Sequence, residues 1–207
     1  MEIDTLVLGI GNVLWADEGF GVRAVAALNE GWRFPESVTL MDGGTLGLYL
    51  LPHVQAARRM LVFDAIDYGL EPGALQVVKD GDIPAYLGIG KMSLHQSSFQ
   101  EVLSLAQLSG RSPERAVLVG VQPALLMDFG GSLTDVVRGR LPEALRIGLE
   151  TLSEWGVAGE PRAAGEAQSL FDPSLALDLY ESGRPSAEAA CRVGDPRVLA
   201  IRRAAES

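Results

Sequence analysis

The segment LVLGIGNVLWADEGFGV, Leu6 to Val22, leaves its chain few ways to fold. Leu6, Val7 and Leu8 form the short apolar run that a parallel strand buried on both faces carries. Gly9 and Gly11 then interrupt it with residues that tolerate a positive φ, which predicts a tight turn. Two adjacent acids follow, Asp17 and Glu18, and Gly19 and Gly21 let the backbone pass close to a neighbour before Val22 to Leu28 resume at helical spacing. Strand, glycine turn and helix in that order hold a carboxylate at the C-terminal edge of a strand, where open α/β sheets keep their ligand crevices.

The same arrangement recurs along the chain. A first helix is expected over Glu18 to Asn29, with Gly31 as its stop, and a second strand over Ser37 to Met41 that ends in Asp42-Gly43-Gly44-Thr45. Leu46 to His53 reads as a short helix, and Met60 to Phe63 as a third strand that terminates at Asp64. Leu75 to Val78 alternates and is more polar, so it is assigned to an edge. The glycine-rich passage from Gly88 to Ser93 delivers His95 to the start of a helix whose apolar stripe includes Phe99, Val102 and Ala106. Ala116 to Val121 is a fifth strand, closed by Gln122-Pro123, and Leu133 to Trp155 is a long amphipathic segment in which Pro142 either starts the main helix or kinks it. Strands alternating with helices imply an α/β fold: a central twisted, mostly parallel five-stranded sheet with helices on both faces.

Residues 1–157 are expected to form this domain. Residues 158–207 shift to Ala, Gly, Pro, Ser and charge, with apolar groupings only around Leu175 to Tyr180 and Val198 to Ile201, and are expected to be a loosely packed or partly helical extension. With 47% hydrophobic residues, 207 residues bury a sizeable core. A net charge of −10 without any Lys- or Arg-rich stretch argues against nucleic acid and anionic membranes as partners. Cys191 is the only cysteine, which excludes an internal disulfide and a Cys-based zinc site. The N-terminal MEIDTLVLGIGN lacks a basic n-region and reads as a strand, no apolar run approaches the roughly 20 residues of a membrane span, and a cytoplasmic setting is expected.

Three potential ligands stand where strands end or helices begin: Glu18, Asp64 and His95. Each has a plain structural reading, as a helix-dipole carboxylate, a turn former and a helix cap respectively. Together they make a mixed oxygen and nitrogen set suited to a borderline divalent ion, with nickel, zinc and manganese all chemically admissible. A dinucleotide site is disfavoured, because Leu14 stands where the third glycine of G-x-G-x-x-G belongs and acids occupy the approach of the phosphates. No P-loop and no G-x-S-x-G elbow occurs, and Cys191 has no histidine beside it in sequence.

Five pieces, GIGNVLWADEGFGV at Gly9 to Val22, DGGT at Asp42 to Thr45, DAID at Asp64 to Asp67, LHQ at Leu94 to Gln96 and GVQP at Gly120 to Pro123, together resemble the hydrogenase maturation endopeptidases. These are the aspartic-type peptidases that trim the C-terminus of the nickel-iron hydrogenase large subunit, although no pepsin-like D-T-G pair occurs here. The resemblance covers about the first 155 residues and nothing is carried across beyond them. It implies a phosphorylase/hydrolase-like fold and a metal-contacting, catalytic trio of Glu18, Asp64 and His95. It also implies a substrate-binding turn at Asp42, Gly43, Gly44 and Thr45, and a monomer that meets the large-subunit precursor transiently. The precursor supplies the nickel, and no organic cofactor is implied. The alternative carried beside it is a non-proteolytic nickel-binding chaperone with the same trio.

Overall fold

The computed structural model describes residues 3–83, 94–163, 165–166, 169–170 and 172–184. Its centre is a five-stranded sheet of β1 (Ile3–Ile10), β3 (Val38–Gly44), β4 (Ala57–Ala65), β5 (Leu75–Lys79) and β6 (Arg115–Val121), in the order β3-β1-β4-β6-β5. Pairings of β1 with β3, β1 with β4 and β4 with β6 are parallel, and β5 runs antiparallel along β6 at one edge. The polar, alternating β5 is thus at the edge its sequence assigns it.

Alternation in the central strands divides the core in two. Val7, Leu61, Phe63, Val117 and Val119 face one layer, built with α1 (Phe20–Gly31) and α5 (Leu141–Glu154). Leu6, Leu8, Met60, Val62 and Leu118 face the other, built with α2 (Leu51–Ala56) and α3 (Leu94–Leu108). Successive strand side chains point to opposite faces, so near-continuous apolar runs in β1, β4 and β6 require cover on both sides. The expected architecture, a mostly parallel five-stranded sheet between helices, is the one observed.

Several element boundaries differ from expectation. Glu18 does not open α1; Ala16–Gly19 is a separate 3-10 turn and the helix starts at Phe20. Leu46 to His53 likewise divides into a 3-10 turn, Gly47–Leu50, and α2. The long amphipathic segment is two helices, α4 (Asp135–Arg138) and α5, with Pro142 in the first turn of α5, where its missing N–H is of no consequence. β3 continues through Asp42 and Gly43 to Gly44, so only Thr45 of the DGGT piece lies beyond the strand.

The described part of the 158–207 extension has its own contacts with the domain. β7 (Glu160–Pro161) pairs antiparallel with β2 (Trp32–Arg33), and Arg162 donates to the Trp32 carbonyl. A 3-10 turn, Pro173–Leu175, and α6 (Leu177–Ser182) fall on the apolar grouping near Leu175 to Tyr180. The grouping at Val198 to Ile201, and Cys191, lie outside the described residues.

Candidate active site

The C-terminal edge of the sheet is where the sequence pieces meet. Across the strands, Gly9 lies level with Asp42 on one side and Phe63 on the other, and Asp64 is level with Gly120. The turns after β1 and β3 are joined by a hydrogen bond from the Gly11 amide to the Gly44 carbonyl (3.1 Å).

Glycine is obligatory in the first turn because backbone meets backbone there. A Cβ on Gly21 would stand 2.1 Å from the Phe63 carbonyl oxygen and 2.3 Å from that of Ile10, and one on Gly11, where φ is +131°, would stand 1.8 Å from the Glu18 oxygen. α1 is therefore pressed onto the ends of β1 and β4, and the 3-10 turn carrying Glu18 packs on β4, the strand that carries Asp64. Ala16 within this turn adopts φ +42°, a left-handed conformation that disfavours a Cβ by about 1–2 kcal/mol. It is buried, and its amide donates to the Gly131 carbonyl.

The two adjacent acids have different environments. Asp17 is fully buried, and its carboxylate accepts from the amides of Ala124 (2.9 Å), Leu125 (2.9 Å) and Thr134 (2.7 Å) and from the Thr134 hydroxyl. It fastens the loop after β6 against the turn after β1. Glu18, one residue on, is only half-buried at the rim. Asp64 is fully buried at the end of β4, with Oδ1 accepting from the Ala65 amide at 2.8 Å.

α3 packs against both the Gly47–Leu50 turn, just past the end of β3, and α2. Gln55, at the end of α2 beside the start of β4, donates to the Ser109 hydroxyl at the far end of α3 (2.8 Å). The helix thus runs antiparallel to β4 and β6, and its first turn, which contains His95, stands at the same edge as Glu18 and Asp64. The side chain of His95 lies outside the described residues. Among the described side chains, no three of His, Cys, Asp and Glu are grouped closely enough to hold a metal ion.

Asp42 is half-buried and Thr45 exposed at the end of β3. Burial pushes the Asp42 carboxyl up from its ordinary pKa, while the nearby Gly44 amide and Arg23 guanidinium pull the other way. Asp42 Oδ1 is enclosed and makes no hydrogen bond among the described residues.

Sequence reasoning assigned no role to Gln122 or Arg23. The Gln122 amide oxygen accepts from Tyr68 (2.8 Å) and Leu70 (3.1 Å), and its nitrogen donates to Asp67 Oδ1 (3.0 Å), fixing the loop after Asp64. Its one visible signal was a polar residue directly after the apolar run of β6. Buried Arg23 in α1 donates to the Leu175 carbonyl and lies 5.4 Å from the Tyr180 ring centroid. Burial lowers its pKa, an effect opposed by Tyr180, Glu181, Asp42 and Glu30. A cavity of about 640 Å³ between Pro52, Gln55, Arg58, Arg111 and Glu114 lies beside the starts of β4 and β6, at the opposite edge from these groups.

Comparison with known proteins decides the family. The hydrogenase maturation protease family pattern, HycI, matches residues 22–151. A hydrogenase expression/formation protein, HoxM of Azotobacter vinelandii, is 56% identical over 194 residues, which is 94% of this chain and 93% of that one. The chain belongs to the hydrogenase maturation protease family. The hydrogenase 2 maturation protease of Escherichia coli K12 is 39% identical over 160 residues, 77% of this chain and 96% of that protein. Among solved structures, the hydrogenase maturating endopeptidase HybD from E. coli superposes with a TM-score of 0.73 at 37% identity, covering 77% of this chain and 98% of that one. This hydrogenase maturation protease is thus a peptidase with the HybD-like α/β fold. Among its described residues no helix is long and apolar enough to cross a membrane.

Proposed function

We propose that this protease is an endopeptidase that removes the C-terminal peptide of a nickel-loaded hydrogenase large-subunit precursor, with the bound nickel as recognition handle. What supports the reading is the packing of the 3-10 turn after β1 on β4 and of α3 on the turn just past β3, which brings the turn with Glu18, the end of β4 and the start of α3 to one sheet edge, in a chain of this family. Glu18, Asp64 and His95 are the proposed metal-contacting set. Carboxylate and imidazole donors suit a borderline ion that the precursor's thiolates already hold with a position open. The ion belongs to the substrate.

In this reading Glu18, half-buried at the rim, meets the incoming chain first, and the enclosed Asp64 is held in place by the Ala65 amide. Either carboxylate then serves as general base toward water, or the ion polarises the scissile carbonyl. The aspartic-type label applies here in the sense of a carboxylate base. Asp42 through Thr45 lie beside the extended peptide, and the absence of a side chain at Gly44 keeps that approach open, while Gly43 faces Leu8 and Ile10 in the core.

The test is to mix the protein with precursor carrying nickel and with the same precursor lacking it, and to weigh the products. Loss of a C-terminal peptide from the loaded form alone is expected, and Glu18→Gln, Asp64→Asn and His95→Gln are each expected to abolish it with the fold intact. Binding without a cut in either form would replace this reading with a non-proteolytic nickel chaperone. Full cleavage by one variant would remove that residue from the site.

A further inference from the structure

The loop from Gln122 to Thr134 carries exposed apolar side chains beside the proposed site. Met127 is 83% exposed, Phe129 60% and Leu125 42%. The loop is tied to the turn that precedes Glu18: the Gly130 amide donates to the Leu14 carbonyl, the Asp17 amide to the Leu125 carbonyl, and the Phe129 ring meets Trp15 edge-on at 5.4 Å between centroids. From inside, the loop is gripped by the Asp17 carboxylate.

From outside it is gripped by the extension. Glu181 in α6 accepts from the Ser132 hydroxyl (2.6 Å) and from the Arg138 guanidinium, which itself reaches back to the Leu133 carbonyl (3.2 Å). The Tyr180 hydroxyl donates to the Gly131 carbonyl (3.4 Å), and its ring lies by Arg23. Arg23 in turn holds the Leu175 carbonyl and acts electrostatically on Asp42. One short helix thus touches the groups behind both the loop after β6 and the turn after β3.

The match to the A. vinelandii relative spans 194 residues, more than the 157 that precede the extension, so it runs well into it. The E. coli protease is matched over 160 residues and is almost used up by them. The extension therefore goes with some members of the family and is dispensable to the fold of others.

We infer that Tyr180 and Glu181 are positioning residues for precursor recognition: they hold the 124–134 loop so that Leu125, Met127 and Phe129 form an apolar contact for the precursor beside Glu18. The inference rests on the proposed endopeptidase reading for its partner. A patch of exposed apolar residues presented on a loop braced from two sides is suited to a protein surface. Glu181 accepts from both Ser132 and Arg138, so removing its carboxylate leaves the Tyr180 hydroxyl as the described contact of α6 with the loop.

The test compares the full-length protein with Glu181→Ala, Glu181→Gln and the double variant Tyr180→Phe with Glu181→Ala. Amide hydrogen exchange is read on the protein alone, and KM and kcat on the nickel-loaded precursor. In the Ala and double variants, exchange across 124–134 and the KM should each rise about tenfold, with kcat within about twofold of wild type. Glu181→Gln, which still accepts from Ser132, should recover most of both. Unchanged exchange, an unchanged KM, or a fall in kcat alone would overturn the inference. Absence of cleavage by the wild type would overturn the endopeptidase reading instead, and exchange would still decide whether Glu181 and Tyr180 position the loop.

Discussion

The turns after β1 and β3 look alike as sequence, each an acid among glycines, but they are built under opposite constraints. In the first, added atoms at Gly11 or Gly21 would meet backbone oxygens, which cannot move without separating α1 from the sheet. In the second, a Cβ on Gly44 would find only Asp42 Oδ1 at 3.3 Å and Gly11 O at 3.8 Å, whereas one on Gly43, still inside β3, would press on the Leu8 and Ile10 side chains and the Gly9 carbonyl oxygen (3.1 Å). Glycine in the first turn, like Gly43, permits packing, while Gly44 at the last position of β3 leaves a surface bare. The glycines of the first turn serve stability, and Gly44 serves access.

The largest effect is expected for Gly21→Ala. Overlap with two carbonyl oxygens should remove about 4 kcal/mol or more of stability, seen in urea denaturation or as failure to recover folded protein. A loss under about 1 kcal/mol would break the contrast between the turns. Asp17→Ala should follow at about 2–4 kcal/mol, because three loop amides lose their acceptor inside the protein. The same denaturation measurement checks it, and Asp17→Asn should lose less.

Gly44→Ala sharpens the contrast. Its φ of +41° disfavours a Cβ by about 1–2 kcal/mol, so the melting temperature should fall modestly while precursor cleavage falls more than about tenfold. Equal cleavage at reduced stability would make this turn structural as well. The smallest effect concerns Asp42. Its folded pKa is raised by burial, so the protonated carboxyl favours the fold at low pH and ionisation opposes it as pH rises above the unfolded value of 3.8. Asp42→Asn should therefore gain stability relative to wild type on going from pH 3 to pH 7. A difference that stays constant with pH would show that the site is open enough to solvate the charge.

The strands of the central sheet, their order of appearance and the acids and glycines at their ends were legible because burial on both faces writes itself as continuous apolar runs closed by turn formers, whereas the two-residue strands β2 and β7 carry no such run. β5 was legible by the same rule applied to an edge. The positions of Glu18, in the turn after β1, and of Asp64, at the end of β4, were legible because each follows an apolar strand run whatever the topology. The boundaries before α1 and α2 were not: one 3-10 turn and one helical turn share the same residue spacing over four positions.

What the sequence by itself determined is the layered α/β frame, since hydrophobic periodicity is a local property that survives without knowledge of partners. Only the tertiary structure decided that Asp17 turns inward to hold the loop after β6 while its neighbour Glu18 faces the rim. It alone also decided that Arg23 of the domain holds Leu175, and that Tyr180 and Glu181 of the extension hold Gly131 and Ser132. These are polar contacts between groups distant in sequence, among them 17 with 134, 23 with 175 and 132 with 181. A hydrogen bond depends on where a donor and an acceptor end up in space, and it leaves no period in the chain to be read.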